Sequence, residues 1–157
     1  MNRPPPVLVA CCGNPLAGDD AFGPAVARAL LEHPDENLQV LDLAMRPASL
    51  VEHLEGRRML LIVDAAEVPG RPPGQVIELP WDEEARKALA SPAPASTHGL
   101  SIADQLALAH SLGMTPPTVR LVLLTIAAAA VGGRRHEAFE RCVQQAAARI
   151  RRLALPV

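Results

Sequence analysis

Three polar residues of this chain could act on a ligand together: Asp20, Asp64 and His98. Asp20 lies in a loop after the first apolar run, Asp64 follows the apolar run 59–63, and His98 follows a proline-rich segment. Two carboxylates and one imidazole form a mixed oxygen and nitrogen set that suits a divalent transition metal and leaves coordination positions open. Calcium and magnesium prefer oxygen ligands alone, and a structural zinc site would use thiolates. The three residues therefore predict a metal site or an acid–base site.

Each of these residues also has a purely structural interpretation. Asp20 could cap the helix that follows it, and the neighbouring Asp19 could do the same. Asp64 could be a solvated residue at the end of a strand, and His98 could be an ordinary loop histidine. The case for a site depends on a fold that brings all three residues to one place.

The elements that must position these residues alternate between strands and helices. The apolar run from Val7 to Cys12 lacks polar alternation, which is typical of a strand covered on both faces. Gly13, Asn14 and Pro15 favour turns and end that strand. Further strands are predicted at 38–41, 59–63, 76–79 and 119–127, helices at 24–30, 48–54, 102–112 and 137–153, and a helical turn at 82–89. This order predicts a three-layer αβα sandwich around a twisted, mostly parallel five-stranded sheet, in which 76–79 is a candidate antiparallel edge strand.

Such a sheet would collect the three candidate residues at one edge. In open α/β sheets, ligands bind where the parallel strands end. Asp20 follows the first predicted strand and Asp64 follows the third, while the irregular segments 68–74 and 91–97 border the same edge. We therefore expect Asp20, Asp64 and His98 to share one rim.

Composition limits the classes of protein to consider. The 157 residues suit one domain spanning 1–157, and 49% hydrophobic with 20% charged residues is typical of a globular chain. A net charge of −2 and only three aromatic residues give no footprint for nucleic-acid binding. The apolar run 121–131 is far shorter than the roughly 20 residues of a membrane-spanning helix, and no segment resembles a signal peptide. These features predict a soluble, cytoplasmic protein with no membrane insertion.

The other reactive residue types have simple explanations. Cys11 and Cys12 are neighbours in a predicted strand, so their side chains should point to opposite faces. With Cys142 they make an odd count, which favours buried thiols in a reducing cytoplasm. Surface or boundary positions are predicted for four histidines and two solvated arginine pairs: His33, His53, His110, His136, Arg57-Arg58 and Arg134-Arg135. The chain contains no dinucleotide fingerprint, phosphate loop, nucleophile elbow or His-Glu-x-x-His motif.

Three motifs, taken in order, resemble those of a known family. They are Cys12-Gly13-Asn14-Pro15-Leu16 followed by Asp19-Asp20-Ala21-Phe22-Gly23, then Ile62-Val63-Asp64-Ala65, then Thr97-His98-Gly99-Leu100-Ser101. The set resembles the hydrogenase maturation proteases, the endopeptidases that finish the large subunit of [NiFe] hydrogenases. The likeness runs from Val7 to about Leu153.

The resemblance implies a role for each candidate residue. Asp20 and Asp64 match the carboxylate ligands of that family, and His98 matches its imidazole ligand. The implied metal is nickel that the large-subunit precursor already carries, so the isolated protein should bind metal weakly. The implied partner is that precursor, from which the enzyme removes a C-terminal extension. Cleavage could use a water activated by a carboxylate, or the metal as a Lewis acid.

Two segments depart from the family pattern. Many relatives have glycines after the second strand, whereas Asp42 is followed by Leu43 and Ala44. Many also carry Gly-Ile-Glu/Gln-Pro after the last strand, where this chain has Thr125-Ile126-Ala127-Ala128. Two other functions remain open at this stage because one scaffold hosts many chemistries. One is a non-catalytic nickel checkpoint or chaperone for the same precursor, and the other is a metal-dependent hydrolase of small molecules.

Overall fold

The computed structural model describes residues 3–16, 18–43, 50–83, 85–86, 102–127 and 134–157. Within these ranges the structure contains a five-stranded sheet and three α-helices. The strands are β1 (Val7–Cys11), β2 (Leu38–Asp42), β3 (Met59–Ala66), β4 (Val76–Pro80) and β5 (Thr118–Thr125). The helices are α1 (Phe22–Glu32), α2 (Ile102–Ser111) and α3 (Phe139–Leu153), with short 3₁₀ helices at Gly18–Ala21 and Val51–His53.

The strands lie in the order β2-β1-β3-β5-β4. The neighbours β1 and β2, β1 and β3, and β3 and β5 are parallel, while β4 pairs with β5 in the antiparallel sense. The predicted mostly parallel sheet and its antiparallel edge strand are therefore confirmed. The parallel strands all end on one side of the sheet, which we call the carboxyl edge, and all begin on the other, the amino edge.

Helices cover both faces of the sheet, which confirms the three-layer sandwich. On one face α1 packs against α3, and the rings of Phe22 and Phe139 meet edge to face with centroids 6.1 Å apart. The inward face of α3 repeats at helical spacing through Phe139, Val143 and Ile150. On the other face Leu106 of α2 and Leu54 pack on the sheet.

The three cysteines occupy the positions that the sequence predicts. All three are free and buried. Cys11 belongs to the hydrophobic cluster under α1 and α3, and Cys12 belongs to the cluster under α2, so the two side chains point to opposite faces. Burial raises the pKa of both thiols, and the negative charges of Asp42 and Asp64 add to this effect. Both groups therefore stay as neutral thiols rather than nucleophilic thiolates.

Several predicted boundaries are wrong by a few residues. β3 continues to Ala66, because its pairing with β5 extends to Ala66 and Thr125, so Asp64 lies inside the strand rather than after it. β5 ends at Thr125, two residues before the predicted end. The helix predicted at 48–54 is a 3₁₀ helix at Val51–His53 within the described residues, and 44–49 lie outside them. In the helical turn predicted at 82–89, residues 83, 85 and 86 are helical, while 84 and 87–89 lie outside the described ranges.

One prediction about a charged residue is also wrong. Arg57, interpreted from the sequence as half of a solvated basic pair, is only 6% exposed. No helix in the described part of the chain has the length and hydrophobicity needed to cross a membrane.

Candidate functional site

The loop between β1 and α1 folds tightly against the end of β1. Gly13 has φ of +128°, and a Cβ atom there would lie 2.0 Å from the carbonyl oxygen of Asp20. A Cβ atom on Gly23 would lie 1.9 Å from the carbonyl oxygen of Cys12. Only glycine fits at these two positions, because any side chain would push the loop off the strand. The glycines of the first motif therefore fix the backbone that carries the acidic pair.

Asp20 closes this loop with its side chain. The backbone N–H of Asn14 donates to Asp20 Oδ2 at 2.9 Å, and the N–H of Leu16 donates to Asn14 Oδ1 at 2.9 Å. Helix α1 begins after Ala21 with no side-chain capping bond. The interpretation of Asp19 or Asp20 as a helix cap is thus wrong, because the 3₁₀ helix Gly18–Ala21 places both residues one turn before α1.

Asp19 points away from Asp20 and towards α3. Its side chain is 5% exposed, and its Oδ1 accepts the backbone N–H of His136 at 2.7 Å. Burial raises the pKa of Cys142 on α3, and the negative charge of Asp19 contributes to that rise. Asp19 therefore joins the loop to the segment that leads into α3.

Asp64 lies in β3 close to the carboxyl edge. Residues alternate between the faces of a strand, so Asp64 shares the α2 face with Leu60 and Ile62. Its Oδ1 accepts the N–H of Ala65 at 2.8 Å, which favours the ionised form. Burial outweighs that bond and, with the negative charge of Asp20, raises the pKa of Asp64 to about 7. The Asp20 and Asp64 carboxylates thus lie near enough to repel each other.

A third carboxylate stands at the same edge. Asp42 ends β2, and its backbone pairs with Cys11 of the adjacent β1. Its charge also contributes to the raised pKa of Cys11. The sequence departs from its relatives just after this residue, yet Leu43 is buried and its N–H donates to the Cys11 carbonyl oxygen at 2.8 Å. Leu43, at the first position where many relatives carry glycine, is therefore packed against the end of β1.

The segment 72–75 is bound to the end of β5 at the carboxyl edge. Thr125 is 1% exposed, its hydroxyl donates to the carbonyl oxygen of Pro72 at 2.8 Å, and it accepts the N–H of Gln75 at 2.9 Å. A Cβ atom on Gly74 would lie 2.5 Å from Cε1 of His136, so the imidazole packs directly on that glycine. The departure from the family pattern at Thr125 therefore supplies a structural bond that holds a proline-rich segment at the carboxyl edge.

The described residues contain part of the predicted ligand set. His98, with the rest of 87–101, lies outside them, so its place at the rim stays a prediction. In the part of the chain that the structure describes, no group of three or more His, Cys, Asp and Glu side chains is arranged to hold a metal ion. What it does bring to one edge of the sheet is two carboxylates, Asp20 in the loop after β1 and Asp64 near the end of β3. Sequence reasoning missed the hydrogen bond between Asp19 and the backbone N–H of His136. The signal in the sequence that could have drawn attention to it is the presence of two consecutive acidic residues, Asp19 and Asp20.

Comparison with known proteins gives a consistent result. The model of the HycI family, described as hydrogenase maturation protease, matches residues 24–152. The hydrogenase expression/formation protein HupD of Thiocapsa roseopersicina is 32% identical over 124 residues, covering 78% of this chain and 55% of that protein. The chain therefore spans about half the length of this curated relative.

Two solved structures share the fold over nearly the whole chain. The hydrogenase maturating endopeptidase HybD from E. coli has a TM-score of 0.73 and 25% identity, covering 92% of this chain and 88% of its own. The [NiFe] hydrogenase maturation protease HybD from Thermococcus kodakarensis has a TM-score of 0.70 and 25% identity, covering 95% and 99%. The overall fold thus recurs in two proteins whose names describe hydrogenase maturation.

Proposed function

This chain belongs to the hydrogenase maturation protease family, as its motifs predict, and we propose that it removes the C-terminal extension of a nickel-loaded [NiFe] hydrogenase large-subunit precursor. In this proposal Asp20, Asp64 and His98 recognise the nickel that the precursor carries. The observation that carries it is that Asp20 and Asp64 both lie at the carboxyl edge, where the negative charge of Asp20 contributes to the raised pKa of Asp64.

The electrostatics of the two carboxylates suit a cation delivered from outside. Two carboxylates that repel each other and are partly buried are stabilised when a cation binds between them, because the cation offsets their repulsion. Asp64, whose pKa is raised to about 7 by burial, would release a proton as it binds the ion. The nickel is part of the substrate here, so the ligand set on the enzyme can stay incomplete until the precursor docks.

The topology supports the inclusion of His98. Helix α2 covers the same face of the sheet as Asp64 and begins at Ile102, four residues after His98. Four residues span at most about 14 Å. Since α2 leads through residues 112–117 to the start of β5 at the amino edge, its first residue lies towards the opposite, carboxyl edge. The start of α2 at this edge supports our proposal that His98, four residues earlier in the sequence, belongs to the site at the rim.

The chemistry of cleavage has two routes with the same residues. A carboxylate near neutral pKa can accept a proton from water, which then attacks the scissile carbonyl. Alternatively, nickel of the precursor polarises that carbonyl as a Lewis acid while Asp20 and His98 hold the ion in place. In both routes water attacks the carbonyl carbon and the peptide C–N bond breaks. The new carboxylate stays on the large subunit, and the amine takes up a proton from that water and leaves with the extension.

One experiment separates this function from its alternatives. We expect incubation with nickel-loaded precursor to shorten the large subunit, measured by mass spectrometry, while nickel-free precursor keeps its mass. Binding of the loaded precursor without shortening would indicate a checkpoint or chaperone instead. Indifference to both precursors would leave a hydrolase of small molecules, and either result would contradict the proposal.

The isolated protein provides a second test. After incubation with nickel or zinc followed by dialysis, we expect far less than one metal ion per chain, measured by elemental mass spectrometry. The reason is that the enzyme supplies only part of a coordination shell, and weakly held ions leave during dialysis. Tightly bound zinc at one ion per chain would contradict the assignment of the metal to the precursor.

A further inference from the structure

Two consecutive carboxylates in the first loop point in different directions. Asp20 accepts the Asn14 N–H at 2.9 Å inside the loop, at the carboxyl edge of the sheet. Asp19 is nearly buried and reaches across the fold to the backbone N–H of His136, 117 positions away in sequence. The peptide unit between them is therefore held from both sides.

The group that Asp19 binds is itself fixed. His136 Nδ1 accepts the N–H of Ala138 at 3.0 Å, and the imidazole ring packs on Gly74. The next residues enter α3, where the guanidinium of Arg135 lies 4.4 Å from the ring centroid of Phe139. Asp19 thus attaches the loop to a segment that packs on Gly74 and leads directly into α3.

We propose that Asp19 is a positioning residue for the nickel-recognition site. By holding the loop on the segment 134–138, it keeps the Asp20 carboxylate in place at the carboxyl edge, the same edge at which Asp64 lies. The effect on cleavage rests on the proposed function, whereas the effect on the loop does not. Asp19 acts as a hydrogen-bond acceptor in this role, so an uncharged acceptor of the same shape can replace it.

That distinction separates Asp19 from a metal ligand. The side-chain oxygen of asparagine can still accept the His136 N–H, whereas alanine leaves that buried N–H without its acceptor. We expect Asp19→Ala to lower the single-turnover cleavage rate at saturating enzyme by about tenfold, since losing a hydrogen bond to a charged group is worth about that factor. Asp19→Asn should stay within about threefold of wild type by the same argument.

The affinity of each variant for nickel-free precursor distinguishes a displaced Asp20 from a lower fraction of folded enzyme. A lower folded fraction would weaken both cleavage and that affinity, whereas a misdirected Asp20 lowers only the cleavage rate. Asp35→Ala is the matched control, because Asp35 Oδ1 also accepts a backbone N–H, that of Asn37 at 2.8 Å, just before β2 at the amino edge. We expect this control to cleave at the wild-type rate, and circular dichroism melts would verify the folding of each variant.

Amide exchange tests the same inference without any precursor. The Asn14 N–H is bound to Asp20 Oδ2, so its exchange rate, measured by NMR, reports how firmly Asp20 is held. We expect faster exchange at Asn14 in Asp19→Ala and an unchanged rate in Asp19→Asn and Asp35→Ala. Unchanged exchange in Asp19→Ala, or equal losses of cleavage in Asp19→Asn and Asp19→Ala, would overturn the inference. If the wild type cleaves nothing, the proposed function fails, and the exchange rates still decide the role of Asp19.

Discussion

Both edges of the sheet hold a charged side chain withdrawn from water, in different surroundings. At the amino edge, the guanidinium of Arg57 donates to the carbonyl oxygens of His53 and Pro5, at 2.8 and 2.6 Å, and to the Gln39 amide oxygen. At the carboxyl edge, Asp64 accepts one N–H and faces the like charge of Asp20. A buried charge with hydrogen-bond partners, such as Arg57, stabilises a fold. A partly buried charge whose ionised form is destabilised by its surroundings, such as Asp64, is typical of a functional site.

Removing the carboxyl-edge charges should have the largest effect. Asp20→Asn, Asp64→Asn and His98→Ala should each lower cleavage of nickel-loaded precursor by more than about a thousandfold, because each removes a proposed ligand. The far-ultraviolet spectrum should stay that of the wild type. Cleavage would be followed by mass spectrometry of the large subunit.

A matched control lies on the same strand end. Glu67 follows β3 by one residue and is exposed, so Glu67→Gln removes a carboxylate from the same edge without touching the site. We expect wild-type cleavage from this variant. Retained cleavage in Asp20→Asn would contradict the assignment of that residue, and equal losses in Glu67→Gln would show a general charge effect instead.

Removing the amino-edge charge should affect stability and leave the chemistry intact. Arg57→Ala strips the partners from two backbone carbonyls and a side-chain amide, which should cost about 3 kcal/mol in the free energy of unfolding. Urea unfolding measures this loss, and the cleavage rate per folded molecule should be that of the wild type.

The neighbouring arginine sharpens this comparison. Arg58 makes one long contact, 3.5 Å from its guanidinium to the carbonyl oxygen of Leu153, so Arg58→Ala should cost less than about 1 kcal/mol. If Arg57→Ala unfolded no more easily than Arg58→Ala, the description of the amino edge as a structural anchor would be wrong. If it abolished cleavage in folded protein, the two edges would not be separate in function.

The sequence predicts the sheet well because its signals are local. A short apolar run without alternation is typical of a strand with both faces covered, and the runs around Val9, Leu61 and Val122 all lie at the centre of the sheet. The predicted end of β3 was wrong because pairing with β5, rather than the local residue pattern, determines where that strand ends. From the sequence alone, a carboxylate such as Asp64 suggests that the strand has ended, although the strand continues past it.

Long-range contacts account for what sequence reasoning missed. The residue types of the pair Asp19-Asp20 do not show which carboxylate affects the pKa of Asp64 and which accepts the backbone N–H of His136. Arg57 looks identical to its neighbour Arg58 along the chain, yet one is buried and the other is not. In both pairs the difference comes from segments far away in sequence, so a pattern of residue types cannot resolve it.

The pH dependence of stability is a smaller test of the same comparison. Burial and the charge of Asp20 raise the pKa of Asp64 to about 7 in the folded protein, above about 3.9 for an unfolded chain. The folded state therefore holds this proton more tightly, so stability from Asp64 is greatest below the unfolded pKa and is lost as pH rises through the folded one. Asp64→Asn cannot ionise and should escape that loss.

We therefore expect Asp64→Asn to gain stability relative to wild type between pH 5 and pH 8, by on the order of 2 kcal/mol. This is below the full value of the shift because Asp64 keeps part of its surface in water. Urea unfolding at the two pH values measures the gain, and Glu67→Gln should show none because Glu67 is exposed. If the gain were absent, or equal in both variants, ionised Asp64 would not destabilise the fold, and the contrast with Arg57 at the amino edge would be wrong. A gain confined to Asp64→Asn would show that this edge keeps an ionised acid at the expense of stability, which a purely structural residue has no reason to do.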